Sequence, residues 1–281
     1  MQLIIDSGSS KTNWAYVQKP PSVQYFTSGG INPSTQSRTY IHSTLMLAAQ
    51  HFSEYDVTEI QFYGAGCKNQ AAENLKLILQ NCFPKATIFV HNDLLGAARA
   101  TCQGNNGIVC ILGTGSHSCL SDGHHILHQR PSLGYLLGDE GSGNHLGKIL
   151  LKKFYYGQLS ASLTQQLLEN FPELKEHFLP EIYMSKNTSS ELAKFVPFIK
   201  EFEMEPTIAT ILNEAFQLFF VERILPYQDK KNWPIYFIGS VGFVFQQQLN
   251  EILITHGFLQ PIYLQNPLDS LINYHLTYVG N

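Results

Sequence analysis

Ile4-Ile5-Asp6-Ser7-Gly8-Ser9-Ser10-Lys11-Thr12 and, about a hundred residues later, Ile111-Leu112-Gly113-Thr114-Gly115-Ser116 are two versions of one pattern. Each is a run of apolar β-formers that breaks into glycine and hydroxyl residues, and strand-like sequence follows each. Glycine lets a backbone turn its N–H groups toward one point, and Ser and Thr add hydroxyl donors with little bulk. Either loop alone also suits an ordinary β-hairpin. The pair favours a duplicated domain that grips one polyphosphate from both sides, with Ser9, Ser10, Lys11 and Thr12 in one loop and Gly113, Thr114, Gly115 and Ser116 in the other. Two better-known phosphate motifs are excluded. Gly8–Thr12 and Gly143–Lys148 look like fragments of a P-loop, but neither has the required glycine spacing before Lys-Ser or Lys-Thr. No G-x-G-x-x-G opens a helix after a strand.

With 281 residues the chain has room for two domains, each with a core of its own. A formal net charge of −4 gives no support to nucleic-acid binding, which needs a concentrated basic patch. No apolar stretch approaches bilayer length, and no basic run precedes an apolar one at the start, so neither a membrane span nor a leader is expected. The five cysteines, at 67, 82, 102, 110 and 119, are odd in number and form no C-x-x-C pair. That fits reduced thiols in a cytoplasmic protein better than a disulfide framework or a zinc site.

The sequence predicts strands near Leu3–Asp6, Trp14–Val17, Val23–Thr27, Ile60–Tyr63 and Thr87–Val90, with helices over Arg38–Phe52, Asn69–Asn81 and Leu94–Cys102. The polar turn Gln103–Gly107 then separates a first domain, 1–106, from a second, 107–281. The order restarts with strands near Ile108–Leu112, His117–Leu120 and His125–His128. A mostly helical region runs from Gly143 to about Tyr227. A strand at Ile235–Ile238, a helix from Val241, a short strand near Ile262 and a helix near Leu268–Tyr274 complete the chain. Hairpins combined with βαβ crossovers make an α/β protein with a mixed sheet in each domain.

Four polar clusters can carry chemistry. Asp6 ends the first strand inside the phosphate-type loop. Phosphate would repel it unless a cation such as Mg²⁺ bridged the two, and the simpler alternative is an Asx turn. Asp93 sits where a strand passes into a helix. It is either an N-cap or a general base that takes a hydroxyl proton during phosphoryl transfer; Asn92 could supply the cap and release it. Gly138-Asp139-Glu140-Gly141-Ser142-Gly143 suits a helix start, where acids are common, and also a carbohydrate site, since a carboxylate accepts from two hydroxyls at once. Gly29-Gly30-Ile31-Asn32-Pro33 is its counterpart in the first half. Beyond these, Ile238-Gly239-Ser240-Val241 is a strand-to-helix junction small enough for a flat base to lie against. His124, His125 and His128 read as a solvated hairpin and not as metal ligands.

On these residues the chain resembles the N-acetylglucosamine kinases and the activator ATPases of 2-hydroxyacyl-CoA dehydratases, both of the actin-like, sugar-kinase ATPase superfamily. Six elements carry the resemblance in order: Asp6–Trp14, Gly29–Pro33, His91-Asn92-Asp93, Leu112–Ser116, Gly134–Gly143 and Gly239–Val241. It implies two tandem ribonuclease H-like domains with five-stranded mixed sheets and ATP with Mg²⁺ in the cleft between them. It also implies Asp93 as the catalytic base and Asp6 at the metal. Thr12, Thr114 and Gly115 would lie beside the phosphates, Gly239 and Ser240 beside the adenosine, and Asn32, Asn92, Gly134 and Asp139 beside the sugar. One departure stands out. Animal-type N-acetylglucosamine kinases place a Trp before the Gly-Asp-Glu-Gly segment, in Gly-Gly-Trp-Gly, where this chain has Pro131-Ser132-Leu133-Gly134. The aromatic contact is lost, which leaves open glucosamine, N-acetylmuramic acid or another hexose derivative as substrate. The expected activity is an ATP-dependent sugar kinase, with a homodimer left open as its assembly. The alternatives are an activator ATPase with an iron–sulfur cluster between subunits, or a nucleotide-binding sensor without catalysis.

Overall fold

The computed structural model describes residues 1–8, 10–18, 22–185 and 187–278, so the candidate Ser9 lies outside the described residues. The first sheet has the strand order β3-β2-β1-β4-β5, built from β1 (Gln2–Ser7), β2 (Lys11–Gln18), β3 (Ser22–Gly29), β4 (Glu59–Gly64) and β5 (Thr87–Asn92). β1 is central because Leu3, Ile4 and Ile5 are apolar on both faces, and all three are buried. It pairs antiparallel with β2 and parallel with β4, while β4 and β5 are also parallel. Parallel neighbours need crossovers, which are α1 (Arg38–His51) between β3 and β4 and α2 (Asn69–Cys82) between β4 and β5. Trp14, Tyr16, Phe52, Ile60, Phe62 and Leu75 form the centre of the core these elements enclose. Each such side chain contributes about 1.5–3 kcal/mol by leaving water.

α3 (Asp93–Cys102) follows β5 directly, and its Ala-rich run packs close to β4. The C-terminal helix, Leu268–Tyr278, lies against α3, with His275 Nε2 2.8 Å from the Tyr63 hydroxyl. Arg99 Nη1 donates to the same hydroxyl at 2.8 Å.

The second sheet has the order β10-β9-β6-β7-β8: β6 (Gly107–Leu112), β7 (Ser116–Ser121), β8 (Ile126–Gln129), β9 (Ile235–Ile238) and β10 (Ile262–Leu264). β9 and β10 are parallel. α4 (Gly134–Leu137) and α5 (Gly143–Tyr155) follow β8. By compactness the chain divides into a first unit of Met1–Val109, Cys119–His128 and Asn266–Asn281, and a second of Cys110–Ser118 and Gln129–Gln265.

The α/β class and the two mixed five-stranded sheets agree with expectation. Three details differ. The helix from Val241 is two helices, Ser240–Val244 and Gln246–Thr255, parted at Phe245, whose backbone is not helical. The last helix runs on to Tyr278. α4 has no counterpart in the sequence analysis, because one turn is too short to show a helical period. No helix among the described residues is long and apolar enough to cross a membrane.

Candidate active site

In the first unit, the loop between β1 and β2 is a hairpin whose strands end in the facing pair Ser7 and Thr12, with the Gly8 amide donating to the Lys11 carbonyl at 2.9 Å. Ser10 and Lys11 are exposed. Thr12 is different. Its side chain is fully buried and its hydroxyl lies 2.7 Å from that of Ser7. Ser7 in turn donates to the Ile31 carbonyl and accepts from the Ile31 amide, both at 3.0 Å. The hairpin is thereby tied to the Gly29–Pro33 loop through a serine that the sequence analysis passed over.

Asn32 anchors that loop by accepting from the Ser34 amide at 3.0 Å, and its own amide donates to Gln36 Oε1 at 2.8 Å. The Ser34 hydroxyl reaches the Gly66 carbonyl at 2.7 Å, which brings the segment after β4 against the loop.

At the end of β5, Asn92 is the cap of α3, its Oδ1 accepting from the Leu95 amide at 2.8 Å. Asp93 is the first helical residue and uses Oδ1 only to accept from the adjacent Leu94 amide at 3.0 Å. Asp6 lies half-buried, opposite Asn13 in the β1–β2 pair. Burial, then the negative charge of Asp93, pushes the Asp6 carboxyl up to about 7, against the hydrogen bond from Asn13 and the charge of Lys11. The two carboxylates repel across a gap that a cation would relieve. Among the described residues there is no group of three His, Cys, Asp or Glu able to cage a metal. A single carboxylate beside a phosphate loop fits Mg²⁺, which keeps its waters and takes phosphate oxygens for the rest. His91, just before Asn92, stacks on Tyr63 at 4.9 Å and is held at about 4 by burial and the Arg99 charge.

In the second unit, Gly113–Ser116 joins β6 to β7 with the Gly113 amide donating to the Gly115 carbonyl at 3.0 Å. The 138–143 segment closes over it. The Ser116 amide donates to Asp139 Oδ1 at 3.2 Å, and Asn144 Nδ2 donates to Asp139 Oδ2 at 2.8 Å. Glu140 accepts from Arg223 at 2.7 and 2.8 Å, and Arg223 also donates to the Pro131 carbonyl at 2.7 Å. Ser142 caps α5 through the His145 amide. Two buried atoms of this cluster, Ser116 Oγ and Asn144 Oδ1, have no hydrogen-bond partner among the described residues. Gly134 opens α4 with no neighbour crowding it. The residues around it are apolar and turned to solvent, Leu136 and Leu137 being about three-quarters exposed.

Gly239, at the β9–helix junction, has φ +114, and a Cβ there would stand 2.6 Å from the Leu112 carbonyl. Only glycine lets the junction approach the second loop so closely. Together they border a cavity of about 510 Å³ lined by Gly113, Thr114, Ala193, Lys194, Val196, Pro197, Lys200, Ser240, Val241 and Val244. Gly113, Thr114, Ser240 and Val241 stand in motifs that the sequence marks, whereas the wall of Val196, Pro197 and the two lysines, with Lys194 between two helices and Lys200 on the second, carries no motif. Lys194 pairs with Glu173 at 2.9 Å and Lys200 with Glu203 at 2.7 Å, and both stay near the cavity rim. One apolar side and one side of amides, hydroxyls and cations make a cavity suited to a nucleotide.

No protein-family model and no curated protein matches the chain. Among solved structures it is similar to a protein of Porphyromonas gingivalis provisionally named an N-acetylglucosamine kinase, at 36% identity and TM-score 0.91, over 99% of this chain and 100% of the other. A protein of Chromobacterium violaceum provisionally given the same name has 18% identity and TM-score 0.72, over 97% and 98%. A glucokinase of the ROK family from Streptomyces griseus, solved with glucose and AMPPNP, has 14% identity and TM-score 0.57, over 99% and 100%. The last two are alike in fold alone.

Proposed function

The chain belongs to the N-acetylglucosamine kinase family of the actin-like, sugar-kinase ATPase superfamily, and from that membership we propose that it transfers the γ-phosphate of ATP to a hydroxyl of an amino sugar, N-acetylglucosamine or a related hexose derivative. The observation that carries the proposal is the shared cavity of the second unit, where a phosphate-type loop and a small-residue junction more than a hundred positions apart border one space. Val196, Pro197, Val241 and Val244 would pack on the adenine. The amides of Thr114 and Gly115 would donate to phosphate oxygens. Asp6 would hold Mg²⁺ through its carboxylate, and the ion would neutralise phosphate charge.

Asp93 is the proposed base. Its Oδ2 accepts the proton of the attacking sugar hydroxyl as that oxygen bonds to the γ-phosphorus and the bond to the bridging oxygen breaks, releasing ADP. Asn32 and Asn92 would present side-chain NH₂ donors to the sugar. The iron–sulfur alternative is disfavoured by burial: Cys67, Cys102, Cys110 and Cys119 are all buried, which leaves Cys82 as the accessible thiol. ADP release measured over a panel of amino sugars, N-acylated sugars and plain hexoses tests the proposal. Stimulation by an amino sugar or its N-acyl derivative is expected. No response to any sugar, with turnover aroused by a protein partner, would overturn it.

A further inference from the structure

We infer that Tyr63 is a positioning residue for Asp93, an inference that rests on the kinase proposal and names what holds its proposed base in place. The bond from the Leu94 amide ties Asp93 only to its own helix. Where its carboxylate stands is therefore set by where the junction of β5 and α3 stands. Both sides of that junction rest on one ring. Before it, His91 faces Tyr63 across the parallel β4–β5 pair, and the two rings stack at 4.9 Å with 24° between their planes. After it, Gly96 lies so close that a Cβ there would stand 2.8 Å from the Tyr63 Cβ, and a side chain would push α3 off the sheet. Further along α3, Arg99 Nη1 donates to the Tyr63 hydroxyl at 2.8 Å.

The same hydroxyl is held from a second side. His275 Nε2 of the C-terminal helix lies 2.8 Å from it, and His275 Nδ1 is 3.4 Å from Gln2 Nε2. Gln2 and Gln61 both donate to Glu59 Oε1, at 2.7 and 2.8 Å, and Gln61 Oε1 lies 3.0 Å from His91 Nε2. The circuit thus returns to the ring that stacks on Tyr63, with side chains from β1, β4, β5, α3 and the C-terminal helix. Among the described residues, no buried side-chain atom of this circuit lacks a partner. A satisfied polar network in a buried setting specifies one arrangement of the elements that supply it. Tyr63 is also in register with Asp6 on β1, so one residue stands between the strand that carries Asp6 and the strand that leads to Asp93. It is fully buried, so it acts through these contacts and not on a ligand.

Tyr63→Phe tests the inference. It keeps the ring, with the His91 stack and the Gly96 contact, and removes the oxygen that Arg99 and His275 share. The readouts are Tm, kcat with both KM values, and amide hydrogen exchange of 92–96 in the ligand-free protein. A kcat lowered roughly 10- to 50-fold is expected, because a displaced base loses its reacting geometry. Both KM values should stay within about threefold, and exchange of 92–96 should quicken. Ile60→Val is the control. It thins the core on the opposite face of β4, and it should lower Tm while leaving kcat and that exchange in place. If Tyr63→Phe does not fold, Arg99→Gln, which withdraws the donor from the α3 side, should give the same pattern. A Tyr63→Phe variant that loses Tm as Ile60→Val does, with kcat within about twofold and exchange unchanged, overturns the inference. Should the wild type turn over no sugar, the kinase proposal fails, and exchange alone decides. Faster exchange of 92–96 in Tyr63→Phe but not in Ile60→Val supports the positioning of Asp93, and unchanged exchange refutes it.

Discussion

The two phosphate-type loops share a composition and differ in what holds them. The first, between Ser7 and Thr12, rests on hydroxyls: Ser7 meets Thr12 across the hairpin and Ile31 in the neighbouring loop. The second, Gly113–Ser116, rests on a carboxylate and an amide from a segment more than twenty residues on. Loop one is tied to the segment with Asn32, on the proposed sugar side. Loop two borders the cavity proposed for the nucleotide, with Lys194 and Lys200. Loops alike in sequence are thus specialised by their supports, and the difference can be tested by cutting each support in turn.

The largest effect is expected in the first unit, at Asp93. Asp93→Asn keeps the size of the side chain, and Asn92 keeps the helix cap, so the Tm should hold. The variant cannot take the hydroxyl proton, and kcat should fall about 10²–10⁴-fold with both KM values little changed. A kcat within a few-fold of wild type on the true substrate would sink the assignment of the base. Asp6→Asn should instead raise the Mg²⁺ requirement and the ATP KM.

Next comes the support of the first loop. Ser7→Ala leaves the buried Thr12 hydroxyl and the Ile31 amide without their partner, at a cost of about 1–3 kcal/mol. A urea melt should register that loss, and kinetics should show a raised sugar KM through displacement of Asn32. A raised ATP KM with an unchanged sugar KM would erase the proposed division of labour between the loops.

A smaller effect concerns pH. Burial, with Arg99 and His91 adding to it, holds His275 neutral in the folded protein down to about 3, whereas an unfolded histidine titrates near 6.5. Below pH 6.5 the unfolded chain therefore binds more protons, and folding stability must fall as the pH drops. The loss from this one group between pH 6.5 and 5 should be about 1–2 kcal/mol, with none above pH 7.5. Urea melts across that range measure it, and His275→Gln should flatten the curve. The smallest effect is at the cavity rim. Lys200→Ala, which removes a half-buried cation paired with Glu203, should raise the ATP KM by only about two- to fivefold and respond to added salt.

Much of this architecture was legible along the chain. Strands and helices follow from period and apolar runs, and β1 declares itself central by being apolar on both faces. The candidate loops were found because glycine and hydroxyl residues mark them locally. Their supports were not, since Ser7 looks like one more loop residue and its partner Ile31 lies well down the chain. The burial of Asp139 depends on contacts with Ser116 and Asn144 that no spacing encodes. Val196, Pro197 and the two lysines form a cavity wall through a helical region without a motif. The last helix closes on α3 and Tyr63 through His275, a long-range contact with no local signature.

The central claim is that a sugar hydroxyl receives the γ-phosphate. The most direct measurement is to incubate the protein with Mg²⁺ and ATP labelled in the γ-phosphate, together with the best sugar of the panel, and to identify where the label goes. Label recovered in a sugar phosphate, in equal amount to the ADP formed and lost in Asp93→Asn, is the predicted result. Label recovered only as inorganic phosphate, whatever sugar is present, would contradict it.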